Sequence, residues 1–248
     1  MWCIDWDIRR FAEIDSTNTW LLGRARAGAP EGLVAVADHQ SAGRGRLGRV
    51  WEAPPAANLL VSVLLRPKGL PPERRHLVVA CVALAARQAC LGLAGVEVDL
   101  KWPNDLLVGG AKLAGILAES DGDAVVVGMG LNVGWAPPGA CSLAALSENP
   151  DSGSPVSGSP VSGSPVSPST VLDAVLEGLA TRYESGDWDA VAADYRRACV
   201  TVGTEVRVEL ADETFTGTAA DINDDGHLLV DTAACIRTVT VGDVVHLR

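Results

Sequence analysis

The alternation of apolar and polar positions divides the chain into two regions of different period. In the first, LVAVA (33–37) and NLLVSVLL (58–65) are short apolar runs of strand length, which predicts buried strands. TWLLGRARAG (19–28), preceded by the capping oxygens of Asp15, Ser16, Thr17 and Asn18, predicts a short amphipathic helix closed by Gly28. PPERRHLVVACVALAARQACLG (71–92) opens on proline and glutamate and closes on glycine. It is apolar on nearly every face and predicts a long, largely buried helix. VEVDLKW (96–102), LLV (106–108), KLAGILAE (112–119) and AVVVGMGLNV (124–133) are separated by Gly109-Gly110 and Asp121-Gly122, and predict a meander of tight hairpins. Two more helices are predicted over 169–185 and 187–199, each behind a Ser, Thr or Asp cap. From about Thr201 the period changes to two, in TEVRVEL, TFTGTAADI, HLLVDT, IRTVTV and DVVHLR. These short strands, with turns at Ala211-Asp212 and Asp224-Asp225-Gly226, predict a small β-barrel.

The expected fold is therefore α+β: a mixed, mostly antiparallel sheet with helices packed on it, over residues 1–200, followed by a small C-terminal barrel over 201–248. One stretch of the first region fits neither period. Ser152–Pro168 repeats SGSPV three times, a composition that cannot form a packed core, so a disordered surface insert is expected at about 150–168.

Composition narrows the class. The chain has 248 residues, 48% of them hydrophobic and 21% charged, as in an ordinary soluble globular protein of one or two domains. No stretch reaches the roughly 18 to 20 uninterrupted apolar residues of a membrane span, and MWCIDWDIRR lacks the order of a secretory signal. A cytoplasmic protein with no membrane partner is expected. Six cysteines without a C-x-x-C pair suggest neither a zinc site nor a disulfide framework. A net charge of −11 works against wholesale nucleic-acid binding. Of the 20 basic residues only Lys68, Lys101 and Lys112 are lysines. An ammonium kept where guanidinium is the rule points to a compact charge being needed there.

GRGRLGRVW (Gly43–Trp51) satisfies G-x-G-x-x-G, yet Pro54-Pro55 follow where a helix would have to begin, and no acidic residue stands between Glu52 and Glu73 to bind a ribose. No G-K-[ST] closes a P-loop either. What remains is a glycine-permitted loop whose guanidiniums, Arg44, Arg46 and Arg49, can converge on a dense anion. In KWPNDLLVGGAKLAGILAE (101–119) one hairpin would return Lys112 towards Lys101, although Pro-Asn-Asp is also an ordinary turn.

Together these stretches resemble the biotin–protein ligase family, in the form lacking an N-terminal DNA-binding domain. The resemblance rests on Gly43–Trp51, Lys101–Asp105 and Lys112–Ile116, with Asp15–Asn18, Gln40 and GMGLNV (128–133) in matching order. It implies a class II synthetase-like catalytic domain, an SH3-like terminal barrel, and a two-step reaction. Biotin and MgATP give biotinyl-5′-AMP, and a lysine of a biotin carboxyl carrier domain of acyl-CoA carboxylases then takes the biotinyl group. By the same resemblance Lys112, Arg46, Arg49, Asp105 and Lys101 are the expected catalytic set. Ser16, Thr17, Asn18, Gln40, Arg44, Gly45, Arg46, Lys112 and Gly115 would bind biotin. Arg44, Arg46, Arg49, Trp51, Lys101, Asn104, Lys112 and Asn132 would bind ATP and the adenylate, with Lys112 touching carboxylate and α-phosphate and Asn132 reading adenine. Asp105 is the candidate for deprotonating or orienting the incoming lysine. Ser16 and Thr17 also read as plain helix caps. No protein-only metal site is expected, Mg2+ arriving with ATP. The short lead before Ser16 implies no repressor activity and no DNA partner. A lipoate ligase, which shares acyl-adenylate chemistry, is the nearest alternative enzyme, and a nucleic-acid-binding protein using the arginine loop and the barrel is the alternative outside enzymes.

Overall fold

The computed structural model describes residues 4–148 and 166–247. Seven strands, β1 (Asp7–Ile14), β2 (Leu33–Gln40), β3 (Leu59–Leu65), β4 (Asp99–Lys101), β5 (Asp105–Val108), β6 (Ala111–Asp121) and β7 (Ala124–Leu131), form one sheet. Its order is β1-β2-β3-β7-β6-β5-β4, antiparallel throughout except for the parallel β1–β2 edge. All seven residues of β3 are buried, because helices cover both faces of the sheet there. On one face lies α1 (Thr17–Arg26), whose Leu21, Leu22 and Ala25 pack on Leu33, Ala35, Leu64 and Val126. The other face carries α2 (Leu77–Ala94), itself covered by α4 (Pro168–Ser185) and α5 (Trp188–Ala198). A short helix, α3 (Leu143–Glu148), follows β7.

By length and hydropathy the helical stretch Pro72–Ala94 passes for a bilayer span, with a mean hydropathy of 2.0, against the sequence-based expectation of none. It is the central core helix, with both faces occupied by the sheet and its covering helices. Gly95 closes it in the left-handed region at φ 65°. β1 escaped the sequence reading for a physical reason. Its apolar residues Ile8, Phe11 and Ile14 recur every third position and its charged ones face solvent, as an edge strand held mainly by backbone pairing allows. The predicted Ser-Pro-Val insert lies almost wholly outside the described residues. Its last residues belong to the fold: Val166 packs on the core, Ser167 Oγ caps α4 by accepting from Thr170 N–H at 3.2 Å, and Pro168 occupies the first helical turn.

The period-two region forms β8 (Glu205–Glu209), β9 (Thr214–Ile222), β10 (Leu228–Asp231), β11 (Ile236–Val239) and β12 (Asp243–His246), an antiparallel sheet ordered β11-β10-β9-β8-β12. This unit shares one continuous core with the larger sheet: Val206, Val208, Ile222, Leu228 and Val230 join the cluster built on α2. Trp102, 3% exposed, fastens the seam. Its indole donates to Gly226 O and its main-chain N–H to Thr201 Oγ1, both at 3.0 Å.

His76 sits at the same seam, its ring 4.7 Å from that of His227, with Nε2 buried and unpartnered among the described residues. Burial foremost, and His227 beside it, push its pKa down from 6.5 to about 4. A depressed histidine pKa means that the unfolded chain takes up the proton first. Stability is therefore full above about pH 6.5 and falls as pH drops towards 4, by at most about 3 kcal/mol and less for the partial exposure of the ring. Urea unfolding at pH 7.5 and 4.5 should show a larger loss for the wild-type chain than for His76→Gln. Equal losses would exclude His76 as the source.

Candidate active site

A cavity of about 250 Å³ opens on the α1 face of the sheet, roofed by the Gly43–Trp51 loop. Its floor is Gly115 on β6 and Gly128 and Gly130 on β7. A Cβ on Gly130 would stand 2.3 Å from the Trp51 ring, and one on Gly128 2.2 Å from Asn18 Oδ1. Both are well inside contact distance, so glycine is what lets these side chains lie against the strands.

One end of the cavity is neutral and densely hydrogen-bonded. Ser16 caps α1, its Oγ accepting from Thr19 N–H at 3.4 Å. Thr17 donates to Gln40 Oε1 from its main-chain nitrogen at 2.8 Å and its hydroxyl at 3.0 Å. That fixes the Gln40 amide with Nε2 on the side of Gly43. Asn18 Nδ2 donates to Glu119 Oε2 at 2.9 Å and Leu117 O at 3.2 Å, leaving its Oδ1 to accept from Ser62 Oγ at 2.6 Å. Ser62 Oγ also lies 2.7 Å from Thr17 Oγ1. Thr17 and Ser62 thus hold two hydroxyl protons for three short oxygen–oxygen contacts, which leaves this end rich in acceptors. Ser16, Thr17 and Asn18 are each 3% exposed and Ser62 is 0% exposed.

The other end is cationic. Lys112 Nζ is 2.6 Å from Asp105 Oδ1 and 5.7 Å from the centre of the Trp51 ring. A Cβ on Gly115 would come within 3.2 Å of Lys112 Cε and Nζ, so the ammonium rests on the glycine floor. Asn104 ties this corner together, donating to Ile116 O at 2.7 Å and accepting from Arg46 Nη1 at 3.4 Å. Asn132 lines the wall, and its amide is engaged by Asn58 at 3.2 Å and by Cys141 O at 3.1 Å. Lys101 stands apart from the cavity. Strand β5 lies between it and Lys112, and its charge instead acts, after burial, to lower the pKa of His246 on β12.

The arginine loop is a small hairpin closed by Gly45 N–H to Arg49 O at 2.6 Å and Trp51 N–H to Gly43 O at 3.0 Å. Its three guanidiniums do not stand bare around one point. Arg44 donates to Thr19 Oγ1 at 3.0 Å and pairs with Glu119 at 3.1 Å. Arg46 donates to Gly242 O at 2.8 Å, and Arg49 pairs with Asp243 at 2.9 Å. Burial lowers the Arg46 pKa, with Asp243 opposing the shift. The β11–β12 turn therefore pins the roof of the cavity.

The expected residues Ser16, Thr17, Asn18, Gln40, Arg44, Gly45, Arg46, Arg49, Trp51, Asn104, Lys112, Gly115 and Asn132 all line this one cavity. Asp105 reaches it through Lys112, and Lys101 does not. Ser62 and Glu119 were missed. Ser62 left a signal, being the lone polar residue in LLVSVLL, where all other positions are apolar. Gly242 and Asp243 left none, since nothing local relates them to a loop near residue 46.

A cavity of this layout, neutral and hydrogen-bonding at one end and cationic at the other, suits a ligand with a neutral polar head and an anionic end. Residues 11–134 match the biotin/lipoate A/B protein ligase family, and residues 201–247 match the biotin protein ligase C-terminal domain. The chain is 38% identical over 242 residues to the biotin–[acetyl-CoA-carboxylase] ligase of Mycobacterium tuberculosis, covering 96% of this chain and 88% of that one. It is 30% identical to the bifunctional ligase/repressor BirA of Bacillus subtilis, over 93% of this chain and 71% of that one. The biotin protein ligase of Aquifex aeolicus, solved with biotin and ATP, superposes with a TM-score of 0.77 at 24% identity, covering 97% and 98% of the two chains. That of Leishmania major, solved with biotin, gives 0.66 at 26% identity and covers 98% of each. The chain belongs to the biotin protein ligases of the biotin/lipoate ligase family.

Proposed function

We propose that the cavity first joins biotin to ATP and then hands the biotinyl group to a lysine of a biotin carboxyl carrier domain of an acyl-CoA carboxylase. The observation that carries this reading is that Lys112 and the arginine loop share one cavity with the Thr17–Gln40–Asn18–Ser62 cluster. A cyclic urea has an acceptor carbonyl between two N–H donors. Gln40 Nε2 suits the carbonyl, and the Thr17 and Ser62 oxygens suit the N–H groups. The biotin carboxylate then extends towards Lys112. Its oxygen attacks the α-phosphorus of ATP, the bond to pyrophosphate breaks, and the mixed anhydride remains bound. Lys112 holds the two reacting anions together while Arg44, Arg46 and Arg49 offset the remaining phosphate charge. In the second step the acceptor amine attacks the acyl carbon and AMP leaves. Asp105, hydrogen-bonded to Lys112, orients the cation and in this reading takes the proton from the amine. Trp51 and Asn132 wall the adenylate, Asn132 at the adenine. Mg2+ travels with the triphosphate in this reading and shields its charge. We assign catalysis to 1–200, support to 201–248, and the whole activity to the cytoplasm, with no part for DNA or membrane.

The test is labelling of a carrier domain with biotin and MgATP, read by mass spectrometry. One lysine should gain one biotinyl group, and a carrier with that lysine changed to arginine should gain none. Labelling that is spread over many lysines, or that proceeds without ATP, would contradict the reading.

A further inference from the structure

The three most exposed large aliphatic side chains among the described residues are Leu47, Val241 and Val50, at 71%, 68% and 67%. Two of them belong to the arginine loop and the third to the β11–β12 turn, and contacts between loop and turn hold the two segments together. Leu47 follows Arg46, Val50 follows Arg49, and Val241 precedes Gly242, whose carbonyl holds the Arg46 guanidinium at 2.8 Å, while Arg49 pairs with Asp243. Val50 lines the reaction cavity, and Val241 lines the neighbouring seam cavity together with Arg46. Exposed apolar side chains thus stand on both the arginine loop that roofs the cavity and the β11–β12 turn that pins it.

Leu47 adds a second observation. Its backbone lies in the left-handed region at φ 53°, ψ 35°, which disfavours a bulky L-residue and suits Asn or Gly. Within the isolated chain an exposed leucine at this position gains little burial to offset that conformation. Such strain at a site mouth points to a use in a complex.

We propose that Leu47, Val241 and Val50 form the landing rim for the acceptor protein, meeting apolar side chains that flank its target lysine. This rests on the two-step reading above. That reading requires a folded acceptor to close over this mouth, and closure by apolar surface excludes the water that would hydrolyse the mixed anhydride. The aliphatic cluster would be the desolvated centre of the contact, with the exposed arginines at its edge.

Leu47→Asn, Val241→Thr and the double variant test it, with a biotin carboxyl carrier domain as acceptor and hydroxylamine as a small nucleophile needing no rim. Each single change should raise the acceptor KM about tenfold, and the pair more. Biotin-dependent pyrophosphate exchange and hydroxylamine trapping of the adenylate should stay unchanged in Val241→Thr, which lies outside the roof loop. Leu47→Asn should melt no lower than the wild type, which separates lost contact from lost fold. An unchanged acceptor KM would overturn the proposal, as would a parallel fall in pyrophosphate exchange, which would place the rim against the small ligands instead. Absence of biotinyl-5′-AMP in the wild type would instead overturn the underlying reading.

Discussion

Lys112→Met should slow adenylate formation by roughly 100- to 1,000-fold, the loss typical of one preorganised donor at developing charge, and Lys112→Arg should come close to the same loss. The ammonium is fixed from two sides, by Asp105 Oδ1 at 2.6 Å and by the floor at Gly115, where even a methyl would lie 3.2 Å from it. A compact point charge can sit between a carboxylate and an α-phosphate oxygen in that space. A planar guanidinium is wider, would press on the glycine floor and would turn its fork towards Asp105. The chain uses arginine for 17 of its 20 basic positions, so lysine here is not a default. Single-turnover adenylation of both variants decides the point. A near-normal rate for Lys112→Arg would mean that the position needs only positive charge.

Gly128→Ala should weaken biotin binding by about 10- to 100-fold, corresponding to a lost or unsatisfied buried hydrogen bond. The new methyl would stand 2.2 Å from Asn18 Oδ1 and 3.1 Å from Ser62 Oγ. Asn18 has nowhere to retreat, being 3% exposed and held by Glu119 and Leu117 O. Displacing it breaks the Ser62 contact and, through Ser62, loosens Thr17 and Gln40. Overpacking of this kind also costs about 1–3 kcal/mol of stability. Equilibrium biotin binding and thermal melting, measured together, separate the two effects. Unaltered affinity would show that the cluster does not read the ligand.

The sequence made some of this legible and some not, for physical reasons. The long helix expected over 71–92 forms as α2, but it begins at Leu77, behind a separate short turn at Pro72–Arg74, and runs past Gly92 to close at Gly95. The hairpins between Val96 and Val133 stand where the glycine turns put them, because local propensity and tertiary packing agree there. β1 was illegible, since an edge strand needs no alternating pattern to pair with β2. Within the site, glycines and capping residues of α1 carried their roles in local motifs. The support of the roof did not: Arg46 and Arg49 find Gly242 and Asp243 only because the terminal β unit folds back against the sheet. The spacing also suggested that Lys101 and Lys112 would meet. The intervening strand β5 prevents that, and Lys112 pairs with Asp105 on β5 instead.

Incubation of the protein with labelled biotin and MgATP in the absence of any acceptor, followed by acid quench and chromatography, tests the central claim most directly. Biotinyl-5′-AMP should accumulate to about one equivalent per active site, and lipoate in place of biotin should give no adenylate. Adenylate formed from lipoate but not from biotin would contradict the assignment of the Thr17–Gln40–Ser62 end to a urea.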